Sequence, residues 1–142
     1  MDYMLFGLVL LLDKDNKVLL LHRSPSNTMP NHYGLVGGKV EFGEKPQDAA
    51  IREAQEEVGV ILKREDLEFV NVYYGTTTIG KCNCVVFTYV ARSWQGTPTN
   101  LEPEKHTAMA WWPRDQLPAP LLRIHKPILE AYKNGVRYIE EK

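Results

Sequence analysis

Residues 37–60, GGKVEFGEKPQDAAIREAQEEVGV, constrain this chain more than any other stretch. They open on paired glycines, turn at Gly43 and enter a helix near Pro46, whose fixed φ suits a first helical turn. Gly59 follows the last apolar position of that helix and reads as its C-cap. At about 100° per residue, Ala50, Ile51, Ala54 and Val58 share one face, which has to pack on a sheet. Asp48 and Gln55 point to solvent. Glu53, Glu56 and Glu57 fall on a third face, with only the small Ala49 among them.

Like charges at this spacing repel, and they do so more strongly in a cleft than in open water. Arg52 reaches Glu56 at i,i+4, but one cation cannot neutralise three carboxylates. A divalent metal would account for the surplus, and hard carboxylate oxygens in this number suit Mg²⁺ or Mn²⁺. A plain solvated glutamate face is the competing reading of REAQEE taken alone.

The remaining sequence frames this helix. A length of 142 residues fits one domain, 1–142, with a core that needs no staple. With 17 basic against 18 acidic residues, charge gives no reason to expect nucleic acid or membrane as a partner. Cys82 and Cys84 lie two apart on one probable strand face. They read as reduced thiols, which places the chain in a reducing compartment, the cytoplasm. The apolar run at 6–12 lacks a basic flank and a small-residue cleavage site, so it reads as a strand rather than a signal peptide. With 18–23 it forms an expected hairpin around the polar turn at 13–16. Residues 24–34 read as a Pro/Ser/Asn-rich loop, and 67–74, 81–92 and 106–113 as strands. Residues 121–135 have helical spacing ended by Gly135, with Pro127 either bending that helix or marking its start.

Counting from Gly38, the pattern runs glycine, five residues, Glu44, seven residues, then Arg52-Glu53, Glu56-Glu57 and Gly59. This resembles the signature of the Nudix hydrolases, closest to their MutT-like branch. The resemblance implies an α+β chain with the Nudix fold, an α/β/α sandwich on a mixed curved β-sheet. It also implies hydrolysis of a nucleoside diphosphate linked to a further group. By matching position, Glu53, Glu56, Glu57 and the Gly37 carbonyl would hold Mg²⁺, or Mn²⁺ as a substitute. Glu53 would also position or deprotonate the attacking water, with Glu44 behind it and Arg52 orienting the glutamates. Two positions depart from the pattern: Val36 stands where many members have proline, and Lys45 replaces a Ser or Thr helix cap, costing about 1 kcal/mol.

Outside the signature, Lys39 and Arg23 are candidate phosphate contacts. A glutamate from the 100–106 segment would complete the metal site, with Glu104 preferred and Glu102 second. His32, Tyr33, Trp112 and Leu121 are the candidates for a base pocket, and the resemblance also allows the 121–125 segment to line it. Of the neighbours Trp111 and Trp112, one should face the core and the other the cleft or surface. His22, His32, His106 and His125 show no metal-ligand spacing and read as structural or surface groups. The implied partner is a nucleotide, with a (deoxy)nucleoside triphosphate foremost. ADP-ribose, a nucleotide sugar, a dinucleotide and a purely nucleotide-sensing role are the alternatives. Monomer and homodimer are both compatible with the sequence.

Overall fold

Nine-residue strand β1 (Tyr3–Leu11) is the axis of the fold, because its apolar run is buried on both faces. Leu8 and Leu10 enter one core cluster with Leu12; Val9 and Leu11 enter the other. That division follows from the two-residue alternation of a strand. The structure, a computed structural model, describes residues 2–77 and 81–142. After β1 come β2 (Val18–Arg23), β3 (Tyr33–Gly34), β4 (Val36–Lys39), α1 (Pro46–Val58), β5 (Leu67–Thr77), β6 (Cys82–Ala91), β7 (His106–Trp112), α2 (His125–Lys133) and β8 (Tyr138–Glu140).

The α+β class holds, while the expected mixed sheet is divided in two: five strands ordered β4-β1-β6-β5-β8, and three ordered β3-β2-β7. In the larger sheet β1 runs parallel to β6 and antiparallel to β4. α1 presses Ala50, Ala54 and Val58 onto the cluster of Val9 and Leu11. From α2, Ile128 and Leu129 enter the cluster of Leu8 and Leu10. A helix on each face is the reason the strand shows no polar alternation.

The hairpin between β1 and β2 does not form beyond one bridge, Leu12 to Val18. Both edges of β1 are taken by β4 and β6, so β2 leaves to pair with β3 and β7. The turn survives because Asp13 Oδ1 accepts the amides of Asp15 (2.9 Å) and Lys17 (2.8 Å). Pro127 is the third residue of α2, so it starts the helix rather than bending it. β8 escaped the sequence reading, since three residues parallel to the edge of β5 carry too little pattern.

Leu20 of β2 is 1 % exposed among Leu8, Leu10, Val18 and Ile128. Leu20→Ala should lower the unfolding free energy by about 2–5 kcal/mol in a urea titration, from lost transfer energy and the cavity left behind.

Candidate active site

The loop between β4 and α1 delivers the acids. Lys45 supplies no side-chain cap, and Gly59, at φ 74°, closes the far end with its amide on the Gln55 carbonyl at 3.0 Å. Within the helix Arg52 is the hub. Its Nε donates to Glu44 Oε2 at 2.9 Å, Nη2 to Glu44 Oε1 at 3.1 Å and to the Lys39 carbonyl at 3.0 Å, and Nη1 to Glu53 Oε1 at 2.9 Å. The bidentate bond from Arg52 holds the Glu44 carboxyl below its ordinary range. Glu44 also accepts the Glu41 amide at 3.1 Å, which ties the loop to the helix.

The three helix glutamates are not equivalent. Glu56 is exposed, with Oε2 3.4 Å from Arg52 Nη1. Glu53 is partly buried, and burial raises its pKa against the pull of Arg52. Glu57 is only 8 % exposed. Its Oε1 accepts the Gly37 amide at 2.9 Å, while burial, reinforced by Glu53 and Glu102, pushes its carboxyl well up.

Across from Glu57 lies the end of a loop. Glu57, Glu102 and His106 bring one ligand atom each within 4.8 Å of one another. His106 Nε2 lies 3.9 Å from Glu57 Oε2, and its Nδ1 is buried without a hydrogen-bond partner. Glu102 and His106 share a side because one turn of chain joins them: the His106 amide donates to the Glu102 carbonyl at 2.9 Å. Glu104, the preferred acid in the sequence, falls on the outside of that turn. Its side chain is exposed, and its carbonyl accepts the Ser24 hydroxyl at 2.9 Å. Glu102 therefore takes the place expected of Glu104, and His106 joins a group it was not assigned to.

Gly37, whose carbonyl is the expected metal ligand, meets Glu57 through its amide at 2.9 Å. Lys39 is exposed, and its amine makes no hydrogen bond or ion pair among the described residues. Arg23 lies within the electrostatic reach of Glu57. Its Nε donates to the Thr28 carbonyl at 2.6 Å, and Nη2 to Asn27 Oδ1 at 3.0 Å and Thr28 Oγ1 at 2.7 Å. Burial lowers its pKa and Glu57 opposes that shift.

A cavity of about 210 Å³ runs up to these groups. Phe6, Leu8, Leu21, Met29, Leu35, Val86, Leu122 and Ile124 give it apolar walls; Arg23, Glu57, His106, Arg123 and His125 give it polar ones. None of His32, Tyr33, Trp112 and Leu121 lines it. For Tyr33 strand alternation is the cause, since its neighbour Gly34 faces the cavity. Tyr33, Trp112 and Leu121 pack on the core, Tyr33 edge-on to Trp112 at 5.6 Å. His32 Nδ1 bonds the Pro30 carbonyl at 2.8 Å. Trp111 also packs inward, stacked on Trp94 at 6.1 Å, so neither tryptophan of the pair faces the cavity.

His125, read as a structural or surface group in a segment that the resemblance allows to line the base pocket, lines the cavity. Its Nδ1 accepts the Leu35 amide at 2.9 Å. Loss of solvent, with Arg23 second, pushes its pKa from 6.5 down to about 4. As pH falls through that interval the unfolded chain takes up a proton that the native ring refuses, so stability drops. The slope is roughly 1.4 kcal/mol per pH unit. Glu53 and Glu57, whose pKa values are raised, act with the opposite sign, so the check is a difference. Wild type should lose stability more steeply than His125→Gln below pH 6.5 in paired denaturant titrations; equal slopes would contradict the assignment.

The sequence model of the NUDIX domain matches residues 5–132. The chain belongs to the Nudix hydrolase family. The 8-oxo-dGTP diphosphatase of Escherichia coli K12 is 29% identical to it over 90 residues, covering 63% of this chain and 67% of that protein. The ADP-ribose pyrophosphatase of Methanocaldococcus jannaschii is 42% identical over 57 residues, 40% of this chain and 33% of that protein. The crystal structure of the MutT NUDIX hydrolase from Burkholderia pseudomallei superposes with a TM-score of 0.81 at 28% identity, covering 92% of this chain and 98% of that one. No helix among the described residues is long and apolar enough to cross a membrane.

Nudix hydrolases use divalent metals, and the residues present fit one. Glu57 sets a carboxyl in a buried position with the Gly37 amide on one oxygen, beside Glu102 and within the field of Glu53. Such a donor set is costly without a cation and suits an oxygen-seeking one.

Proposed function

We propose that this Nudix hydrolase converts a (deoxy)nucleoside triphosphate to the monophosphate and pyrophosphate, with Mg²⁺ as its metal and Mn²⁺ as a substitute. The observation that carries the reading is the junction of an apolar-walled cavity with a buried acid group and a cation. The cavity is lined jointly by Glu57, His106 and Arg23. An apolar wall suits a base, and the charged end suits a phosphate chain. The likeness to an 8-oxo-dGTP diphosphatase supports a triphosphate substrate. The shorter match to an ADP-ribose pyrophosphatase makes ADP-ribose the second reading.

In this reading Glu53, Glu56, Glu57, Glu102 and the Gly37 carbonyl hold the metal. Metal bound there would supply positive charge that screens phosphate oxygens and lowers the pKa of nearby water. Glu53 accepts the proton of the attacking water, a task suited to a carboxylate whose pKa burial has raised. Water adds to phosphorus as the anhydride P–O bond breaks and pyrophosphate leaves. Arg52 keeps the Glu53 carboxylate in place through its 2.9 Å bond and is itself fixed by Glu44. Arg23, with Nη1 making no hydrogen bond among the described residues, and Lys39 offer cations to the phosphate chain. Clearance of damaged nucleotides in the cytoplasm is a role consistent with this chemistry and with the free thiols of Cys82 and Cys84.

The test is phosphate and pyrophosphate release across canonical and oxidised dNTPs, ADP-ribose, nucleotide sugars and dinucleotides, each with Mg²⁺ or Mn²⁺. Turnover should be fastest with a triphosphate and abolished by EDTA. Faster ADP-ribose cleavage would favour the second reading, and binding without turnover of any panel member would favour a sensing role.

A further inference from the structure

Of the polar groups that line the cavity, His125 has a nitrogen whose hydrogen-bonding role is fixed and unused. Arg123 has Nη1 on Glu141 and Nη2 on the Thr76 carbonyl at 2.8 Å. Arg23 directs Nε and Nη2 to the loop at Asn27 and Thr28. His125 is different. Its Nδ1 accepts the Leu35 amide at 2.9 Å, and an amide N–H has only a lone pair to bond with. A neutral imidazole whose Nδ1 is the acceptor carries its proton on Nε2, so the ring is locked in one tautomer. Among the described residues Nε2 has no hydrogen-bond partner. Gly34 is part of the same fitting: a Cβ there would come within 3.2 Å of His125 Nδ1 and 2.6 Å of Leu122 Cδ1.

We infer that His125 is a specificity-determining residue that reads the base. Its Nε2–H donates to a ring carbonyl, so the cavity selects bases with an oxo group at the edge meeting α2 over those with an amino group. The inference rests on the reading of the cavity as the nucleoside site and deepens it by naming the chemical class of base. With Nδ1 occupied by the Leu35 amide, the ring offers a donor and no acceptor. A 6-oxopurine presents an acceptor to that donor. A 6-aminopurine presents N–H against N–H, and a polar site turned against the wrong partner loses far more than a missing contact does. The apolar walls at Leu122 and Ile124 would hold the base plane without preferring either class.

Inosine and adenosine monophosphates, which differ at the purine 6-position, are the probes. Their dissociation constants should be measured by calorimetry on the full chain in EDTA, so that binding is read without hydrolysis. Wild type should hold the inosine compound on the order of tenfold more tightly. His125→Leu, which has no donor, should bring the two affinities together. His125→Gln, which keeps an acceptor for Leu35 and an N–H donor, should retain a preference of the same sign. The kcat/KM ratio of dITP to dATP should follow the same order across the three proteins.

Equal wild-type affinities would overturn the inference by themselves, whether or not the Leu variant folds. So would a preference that persists in His125→Leu. Should triphosphates be hydrolysed while the monophosphates bind equally, the base reading falls and the hydrolytic one stands. Should the preference depend on His125 while no nucleotide is turned over, the hydrolytic reading falls instead.

Discussion

Glu53→Gln should lower kcat by about a thousandfold while the chain remains folded. The carboxylate is the proton acceptor in the proposed reaction, and such groups contribute roughly 10²–10⁴ in rate. Glutamine keeps the size of the side chain and an oxygen to accept the Arg52 Nη1–H bond, now 2.9 Å long. It also removes one of the charges that disfavour ionisation of Glu57. Melting temperature in EDTA should therefore hold or rise, and the rise brought by Mg²⁺ should shrink, because one ligand is lost. Single-turnover hydrolysis of the best triphosphate and thermal scans with and without Mg²⁺ check both halves. Near wild-type turnover in this variant would remove Glu53 from the chemistry.

Gly38→Ala should cost activity, whereas its neighbour Gly37→Ala should cost the fold. A Cβ on Gly38 would lie 2.5 Å from the Glu53 carboxyl carbon and 2.6 Å from its Oε1. Those atoms end a flexible side chain, so Glu53 swings aside and the backbone is spared. A displacement of about 1 Å at a catalytic group is enough to lower kcat/KM by about a hundredfold. At Gly37, with φ +146°, an added Cβ would lie 2.4 Å from the Gly7 carbonyl oxygen, and 2.7 Å from Leu8 Cα, in the adjoining strand. Backbone cannot yield so cheaply, and a stability loss on the order of 3 kcal/mol is expected. Steady-state kinetics and denaturant titrations on both variants separate the effects. A folded and active Gly38→Ala protein would show that Glu53 needs no close approach to this loop.

These outcomes locate what was readable in one dimension. The wheel over 46–58 placed Ala50, Ala54 and Val58 toward the core, where they are buried. It treated Glu53, Glu56 and Glu57 alike, however, and the fold made them buried to different degrees. Glu57 has a strand-end amide to accept and a loop above it; Glu56 looks outward. Periodicity reports which face of a helix a residue occupies, not how deeply a neighbouring loop covers that face.

The same boundary applies to the distal partners. The sequence drew attention to the 100–106 segment and chose Glu104 over Glu102. One turn of chain, closed by the His106 amide on the Glu102 carbonyl, reversed that order and brought His106 in as well. The 121–125 segment was open to a place in the pocket, but the role of His125 within it comes from a bond to Leu35, far away along the chain.

What the sequence determined by itself was local: the glycine loop, the length of α1, the spacing of its acids and the strands whose alternation or continuous apolarity is visible within about ten residues. Tertiary structure alone decided that β2 leaves β1 for a second sheet, that Glu102 and not Glu104 stands beside Glu57, and that Gly34, Leu122 and His125 wall the cavity. The reason is physical. Hydrogen bonding and side-chain periodicity along a segment are set by adjacent residues, whereas the approach of distant segments depends on which strand edges are already filled and which faces must be covered.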